Sequence, residues 1–251
     1  MEKIGAIIQA RMGSSRLPGK VLMPAVEKPL LELLVERLSY SKTINEIIIA
    51  TSTSLKDNVI EEFCNDRNIK CYRGSEDDVL DRYYHTAGLF ELGIVVRITS
   101  DCPLIDPVLC DEIIMHFLNH KNKYDLVTNR YPLTFPDGLD IDVMPFKALR
   151  YVWEHAKTKS QREHTKPNFW ESGMKVFNYE SDINYFKNYR WTLDYLEDYK
   201  LISLIYKHLY VDNQFPFSWK EIISFLGCSR EMIRIFLVVS APIQQINLYL
   251  S

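Results

Sequence analysis

Short apolar segments alternate with longer amphipathic segments over residues 4–129, and this alternation constrains the fold more than any other feature of the chain. The apolar segments at residues 4–10, 46–51 and 94–99 have the length and composition of buried strands. Residues 70–73 and 125–129 are also typical of strands. Segments with helical spacing separate them, at residues 29–41, 57–67, 77–91 and 107–120. Because such alternation forms right-handed βαβ units, we predict an α/β fold with a mostly parallel, Rossmann-like sheet and helices on both faces.

The pattern changes after residue 130. Prolines, a glycine and aspartates at residues 132–142 predict an irregular loop or a hairpin that leaves the sheet. Beyond this loop the sequence predicts strands at residues 175–179 and 189–193, and helices at residues 146–157, 195–210 and from 217 on. No linker or repeat interrupts the chain, so we predict a single domain over residues 1–251. Its parts are a core at approximately 1–130, an inserted lobe at 131–190, and a return to the core with C-terminal helices at 191–251.

Composition and charge exclude several classes of protein. The 30 basic and 33 acidic residues give a formal charge of −3, so we expect no broad nucleic-acid-binding surface. The five cysteines are scattered without a C-x-x-C pair, which is typical of reduced thiols in the cytoplasm. The nearest approach to a membrane span, at residues 233–243, has about half of the roughly 20 residues required and contains Arg234 and Pro242. We therefore expect a cytoplasmic protein without a membrane span.

A loop rich in basic residues, serines and glycines directly follows the first predicted strand. Arg11, Arg16 and Lys20 bring three cations to the end of that strand, and Gly13 and Gly19 permit a close approach of the backbone to a ligand. This combination is typical of a polyphosphate-binding loop, although its spacing matches neither the dinucleotide fingerprint nor the P-loop. The alternative is an exposed basic turn.

Polar side chains also follow two other predicted strands. Residues 51–54, which include Thr51 and Ser52, follow the second strand, and Ser100 and Asp101 follow the fourth. In open α/β sheets, ligands bind beyond the carboxyl ends of the strands, where the strand order switches. We therefore expect these residues and the basic loop to converge on one site.

Seven segments that together span most of residues 4–200 resemble one known family. They are IIQARMGSSRLPGKVL (7–22), ATS (50–52), RGSEDDVLDRY (73–83), VRITSDCPLIDP (96–107), FPDGLD (135–140), REH (162–164) and WTLD (191–194). The chain resembles the cytidylyltransferases that make CMP-activated sugars, in particular the SpsF-like branch named for spore-coat polysaccharide biosynthesis. The first segment is the most specific of the seven.

The resemblance implies a nucleotide-diphospho-sugar transferase fold and transfer of CMP from CTP to a sugar-type acceptor, with release of pyrophosphate, for surface polysaccharide or glycan biosynthesis. It also implies a Mg²⁺ cofactor bound by Asp101 and Asp194. Residue chemistry agrees, since Mg²⁺ prefers one or two carboxylates together with substrate phosphates and water. A helix cap or a turn is the alternative role for each aspartate.

The resemblance also suggests roles for individual residues. Lys20 and Arg16 would hold the phosphates, Arg11 the developing pyrophosphate and Asp101 the metal, so these four are the predicted catalytic residues and no nucleophilic side chain is needed. The residues expected to bind the nucleotide are Ala10, Arg11, Met12, Gly13, Ser14, Ser15, Arg16, Lys20, Thr51, Ser52, Ser75, Thr99 and Ser100.

The acceptor is expected to lie largely in the lobe at residues 131–190. The candidate residues are Arg82, Asp137, Asp140, Arg162 and His164. Other roles remain open, since the aspartates suit an Asx-rich turn, His164 a structural position, and Arg82 an ion pair with Asp78 one helical turn away. Asp142 stands where relatives are expected to have glutamate. The lobe also suggests a homodimer.

Two other functions remain possible at this stage. One is a transferase that uses another nucleotide with a sugar phosphate, although such relatives have a loop richer in glycine. The other is a nucleotide-binding regulatory protein without turnover, which would not require both Asp101 and Asp194. The apolar tail beyond Phe225 departs from the family pattern and suits a dimer surface, a packing helix or a membrane-facing patch.

Overall fold

A computed structural model describes residues 2–163, 169, 170 and 172–228 of the chain. The strands are β1 (Ile4–Gln9), β2 (Pro24–Ala25), β3 (Lys28–Pro29), β4 (Glu46–Ser52), β5 (Lys70–Gly74), β6 (Ile94–Thr99), β7 (Leu126–Thr128), β8 (Asp142–Pro145) and β9 (Val176–Asn178). The α-helices are α1 (Leu30–Ser39), α2 (Asn58–Asp66), α3 (Val79–Leu89), α4 (Pro107–Asn119), α5 (Phe146–His155), α6 (Lys159–Glu163), α7 (Leu196–Leu209) and α8 (Trp219–Cys228). Short 3-10 helices cover Lys20–Leu22 and Leu55–Asp57.

Seven strands form one sheet in the order β5-β4-β1-β6-β8-β7-β9, and β2 and β3 form a separate hairpin. Strands β5, β4, β1 and β6 pair in parallel. Strand β8 runs antiparallel to both β6 and β7, while β9 is parallel to β7. The prediction of an α/β fold with a mostly parallel sheet is confirmed.

Alternate side chains along each strand point to opposite faces of the sheet, and helices cover both faces. On β1, Ala6 and Ile8 pack in one cluster with residues of α1, α4 and α7. Ile7, between them, belongs to a second cluster on the opposite face, which includes Tyr83 of α3 and Leu149 of α5. The continuous apolar character of the strand reflects burial on both sides.

Two expectations for the second half of the chain are corrected. Residues 189–193 are not a strand, since Arg190 forms only an isolated bridge with Asp137. Trp191 and Leu193 are fully buried there, so their alternation reflects burial without pairing of the backbone in the sheet. The predicted loop after residue 130 leads into an unpredicted strand, β8, which inserts between β6 and β7.

The predicted apolar tail lies outside the described residues from residue 229 onward. Among the residues that the structure describes, no helix has the length and apolar character needed to cross a membrane.

Asp106 connects the start of α4 to the start of α8. Its Oδ1 accepts hydrogen bonds from the backbone N–H groups of Val108 and Leu109, at 2.8 and 3.1 Å. Its Oδ2 accepts a third bond, from the N–H of Trp219 at 2.8 Å. Asp106 is 1% exposed, so removal of its carboxylate takes a buried acceptor away from three backbone N–H groups.

Asp106→Ala is expected to lower the free energy of unfolding by about 2–4 kcal/mol, because it removes a helix cap and leaves buried N–H groups unpaired. The matched control is Asp78→Ala at the start of α3, where the carboxylate accepts one backbone N–H, from Asp81. Its expected cost is about 1 kcal/mol. Urea unfolding measures both, and equal losses would contradict the role assigned to Asp106.

Candidate active site

Polar residues from the loops after β1 and β6 line one cleft of about 310 Å³. Because β1 and β6 are parallel neighbours, their carboxyl ends open on the same edge of the sheet. The structure brings together in this lining many of the residues that the sequence predicts for the site: Ala10, Arg11, Ser14, Ser15, Arg16, Lys20, Arg82, Thr99, Ser100 and Asp101.

Asp57 anchors the loop that follows β1. Its Oδ1 accepts a hydrogen bond from the backbone N–H of Met12 at 2.7 Å, and its Oδ2 accepts one from the hydroxyl of Ser52. Farther along the loop, the N–H of Gly19 returns to the carbonyl of Met12 at 3.0 Å, and Gly19 adopts a left-handed conformation with φ of 72°. The loop is therefore tied to the chain that follows β4.

This anchoring involves one of two residues that were predicted to bind the nucleotide. Thr51 and Ser52 are fully buried and do not line the cleft, and their role toward a nucleotide stays a prediction. Ser52 orients Asp57 behind the loop. Asp57 was missed because, in the sequence, an acid at the start of a predicted helix is an ordinary feature.

Three further predicted residues lie beside the cleft without lining it. Met12 and Gly13 belong to the same loop, and Ser75 is exposed and accepts a hydrogen bond from the N–H of Asp78 at 3.1 Å. A Cβ added at Gly13 would lie 3.8 Å from a carboxylate oxygen of Glu76, so the two loops are neighbours.

Asp101 and Asp194, the two predicted metal ligands, meet at the ammonium group of Lys20. Lys20 Nζ lies 3.1 Å from Asp194 Oδ1 and 3.8 Å from Asp101 Oδ2, and it also donates to the carbonyl of Leu193. The N–H of Leu193 donates to the carbonyl of Asp101 at 2.8 Å, which joins the two chain segments through their backbones. Residues far apart in the sequence thus form one charged cluster.

Arg16 contacts the same carboxylate. Its Nη2 lies 2.7 Å from Asp194 Oδ1, and its guanidinium lies over the ring of Tyr195 with 5.2 Å to the centroid. A hydrogen bond to Tyr195, together with the charge of Asp194, outweighs partial burial and raises the pKa of Arg16. Two of the cations that were predicted to bind phosphate therefore contact Asp194 in this structure.

The donor set fits a metal ion that arrives with a nucleotide. Among the described residues, no group of three or more His, Cys, Asp or Glu side chains is arranged to hold a metal. Asp101 and Asp194 both lie within 3.8 Å of the Lys20 ammonium group, and the Asp101 side chain is 33% exposed at the cleft. Mg²⁺ usually takes one or two carboxylates and completes its coordination with phosphates and water. These two residues fit Mg²⁺ on that basis.

Two buried arginines line the inner part of the cleft. Arg82 is 2% exposed and its Nη1 donates to the carbonyl of Ser75 at 3.0 Å. Burial, and the nearby positive charge of Arg11, lower the pKa of Arg82. Arg97, which sequence reasoning missed, lies 2.9 Å from Asp142. An arginine inside an otherwise apolar strand was the available signal.

The candidate acceptor residues Asp137 and Asp140 do not line the cleft. Asp137 Oδ2 lies 3.3 Å from Arg190 Nε, and Asp140 Oδ2 lies 2.7 Å from Arg130 Nη1. Burial raises the pKa of Asp137 even though Arg190 opposes the shift. In this structure both aspartates form ion pairs with arginines, and their assignment to the acceptor stays a prediction.

Arg162 and His164 were the other candidates for the acceptor. Arg162 Nη1 lies 3.5 Å from Asp78 Oδ2, and its guanidinium is 5.8 Å from the ring centroid of Trp153. Glu163, the next residue, lines the cleft and was not predicted. His164 lies outside the described residues.

Known proteins resemble this chain over most of its length. A protein of Methanocaldococcus jannaschii described as uncharacterized is 40% identical over 228 residues, which cover 89% of this chain and 90% of that protein. The spore coat polysaccharide biosynthesis protein SpsF of Bacillus subtilis is 34% identical over 219 residues, covering 82% and 88%. The 8-amino-3,8-dideoxy-manno-octulosonate cytidylyltransferase of Shewanella piezotolerans is 32% identical over 135 residues, covering 53% and 55%.

A solved structure and a family model agree with these relatives. The structure of a cytidylyltransferase from Leptospira borgpetersenii matches with a TM-score of 0.87 and 31% identity, covering 93% of this chain and 97% of that one. The family model described as cytidylyltransferase matches residues 5–214. The chain therefore belongs to the cytidylyltransferase family, in its SpsF-like branch.

Proposed function

We propose that this cytidylyltransferase transfers CMP from CTP to a sugar acid or a related acceptor, with Mg²⁺ as cofactor and pyrophosphate as second product, for surface polysaccharide or glycan biosynthesis. The observation that carries the proposal is that the basic loop and Asp101 line one cleft, while Asp194, which does not line it, contacts Arg16 and Lys20 of that loop. Lys20 lies within 3.8 Å of both Asp101 and Asp194. The names of the relatives support a CMP-sugar product.

A triphosphate with a bound metal ion would give each charged group of this cluster a new partner of opposite charge. Lys20 and Arg16 contact Asp194 in this structure. Phosphate oxygens are equally good acceptors for both cations, and the metal would take the negative charge of the carboxylates. The cluster can therefore change partners without leaving an unpaired charge, which would be costly in a mostly buried site.

The chemistry requires little from the protein beyond positioning and charge. An oxygen of the acceptor bonds to the α-phosphorus of CTP while the bond to the oxygen that bridges to the β-phosphorus breaks, and the proton of the acceptor hydroxyl passes to water. Lys20 and Arg16 hold the phosphates in line, and Arg11 faces the negative charge that develops on pyrophosphate. Serines 14 and 15 of the loop supply further donors at the cleft.

Asp101 and Asp194 would hold the metal ion. When bound, Mg²⁺ would withdraw negative charge from the phosphates. Asp101 is positioned for this role by β6, and Asp194 by the turn that begins α7.

The inner end of the cleft favours an anionic acceptor. Arg82 and Arg97 are buried there, and the guanidinium of Arg82 donates to backbone carbonyls of Ser75 and Glu76. The carboxylate of a sugar acid would supply a countercharge near Arg82, whereas Arg97 already has one in Asp142. A phosphorylated acceptor is the alternative, and it is tested together with the sugar acids.

A homodimer and a cytoplasmic location stay predictions from the sequence.

The substrate proposal is tested by measuring pyrophosphate release with Mg²⁺, each of four nucleoside triphosphates, and a panel of sugar acids and sugar phosphates. Release is expected with CTP and a sugar acid, because an anionic acceptor would supply a countercharge to Arg82 and one relative is named as a cytidylyltransferase of a sugar acid. Release of pyrophosphate with UTP or GTP and none with CTP would contradict the proposal. Release with CTP and a sugar phosphate alone would move the acceptor to the phosphorylated class.

Asp101→Asn is expected to lower turnover by roughly 100-fold or more, because it removes a charged ligand of the metal while keeping the shape of the side chain. Circular dichroism and the melting temperature check that the fold persists. The control is Asp66→Asn, which changes an exposed acid at the end of α2. Turnover near the wild-type value in Asp101→Asn would show that the metal assignment is wrong.

Asp57→Ala is expected to raise KM for CTP about tenfold, since loss of about 1–3 kcal/mol of hydrogen bonding at Met12 loosens the phosphate-binding loop. Steady-state kinetics give KM, and proteolysis within residues 10–20 reports loosening of the loop directly. Asp66→Ala, at the end of α2, should change neither. An unaltered KM in Asp57→Ala would exclude a role for this anchor in nucleotide binding.

A further inference from the structure

We propose that Arg190 is a positioning residue that holds the Asp194 carboxylate in the orientation needed for the metal. This inference rests on the proposed function, because it assumes that Asp194 binds a metal ion together with CTP. Arg190 was not among the predicted site residues, and it does not line the cleft. It would act on the reaction only through Asp194.

Each nitrogen of the Arg190 guanidinium faces a different carboxylate. Nη2 lies 3.0 Å from Asp194 Oδ2, Nε lies 3.3 Å from Asp137 Oδ2, and Nη1 bonds to Asp198 Oδ1. The Arg190 side chain is 11% exposed. Burial alone would lower its pKa, but Asp198 and the other acids outweigh burial and raise it.

Asp198 fixes Asp194 from a second direction. Its Oδ2 accepts the backbone N–H groups of Asp194 and Tyr195, each at 2.8 Å. Its Oδ1 bonds to Arg190, whose Nη2 contacts the Asp194 side chain. Asp198 is 2% exposed and lies in the first turn of α7. The pair of Arg190 and Asp198 therefore restrains both the backbone and the side chain of Asp194.

The two oxygens of Asp194 have separate partners. Oδ2 contacts Arg190, whereas Oδ1 contacts Arg16 and Lys20, which line the cleft. When phosphates take over Arg16 and Lys20, Oδ1 is the oxygen that becomes available on the cleft side. Arg190 then remains the cation bound to Asp194, because its other partners, Asp137 and Asp198, are not at the cleft. It keeps the side chain from rotating as the contacts of Oδ1 change.

A lysine cannot replace Arg190 in this arrangement. The guanidinium is a planar fork that presents donors in several fixed directions, whereas an ammonium group is a compact charge on a flexible stem. Lysine keeps the positive charge near the three carboxylates but cannot meet all of them in the same geometry. Arg190→Lys therefore keeps the positive charge beside Asp194 but removes the geometry that orients its carboxylate, so the variant tests positioning alone.

The experiment measures Mn²⁺ binding by electron paramagnetic resonance to the full chain, in the presence of an α,β-methylene analogue of CTP that cannot react. In Arg190→Lys, the Kd for Mn²⁺ is expected to rise about tenfold, and the Mg²⁺ concentration for half-maximal turnover to rise with it. The matched control is Arg37→Lys. Arg37 is also buried but donates to the carbonyls of Ile105 and Phe217, so its replacement should lower the melting temperature and leave the Kd unchanged.

Asp194→Asn identifies which proposal fails if the result is negative. If Mn²⁺ binds equally well to the wild type and to Asp194→Asn, the metal site of the proposed function is wrong and this inference fails with it. If Asp194→Asn loses Mn²⁺ but Arg190→Lys keeps the wild-type Kd, only the role of Arg190 is overturned. Should Arg190→Lys not fold, Asp198→Asn replaces it, with a smaller increase in Kd expected and an unchanged Kd overturning the proposal.

Discussion

The architecture of the cleft depends on one carboxylate, that of Asp194, which three cations from two distant parts of the chain share. Arg16 and Lys20 reach it from the loop after β1, and Arg190 reaches it from the segment before α7. Burial of Lys20, Arg190 and Asp194 is tolerable only because each has a partner within hydrogen-bonding distance. The start of α7 lies beside this carboxylate, since Asp198 in its first turn accepts a hydrogen bond from the backbone N–H of Asp194. Long-range electrostatics and local helix capping therefore depend on the same residues.

The sheet makes this arrangement possible. Strands β1 and β6 are parallel neighbours, so the loop that contains Lys20 and the turn that contains Asp101 leave the sheet at the same edge. The backbone bond from Leu193 to Asp101 then brings the third segment to that edge. Polar groups can accumulate there because the strands themselves are covered by apolar helices on both faces. The apolar core thus holds the site residues in place and adds no charge to the site.

Local patterns predicted the features that depend on neighbouring residues. The alternation of apolar and amphipathic segments was enough to predict the α/β fold, because each strand and helix is stabilised by its own buried face. Strand β8 escaped prediction because Asp142, an ion-pairing partner of Arg97, occupies a buried position within it. Residues 189–193 were wrongly predicted as a strand because burial of Trp191 and Leu193 imitates the alternation of a paired strand.

Features that depend on distant partners could not be predicted from the sequence, because the local pattern does not show which residues meet in the folded chain. Nothing near Arg190 in the sequence indicates that Asp137 is its partner, and nothing near Asp57 indicates that it accepts a bond from Met12. These pairings exist only after the chain has folded. By contrast, the basic loop was evident because its cations and glycines are adjacent in the sequence, so their shared chemistry needs no tertiary structure to be recognised.

The ion pairs of the second half of the chain bear on how an acceptor would be recognised. Asp137, Asp140 and Asp142 contact Arg190, Arg130 and Arg97, respectively. Each aspartate thus connects to an arginine of another strand or turn, and these contacts hold the segment against the sheet. Carboxylates that already have such partners are poor candidates for binding sugar hydroxyls, since breaking a buried ion pair is costly. The same argument applies to Arg97, which is paired with Asp142, so the proposed contact with an anionic acceptor depends mainly on Arg82.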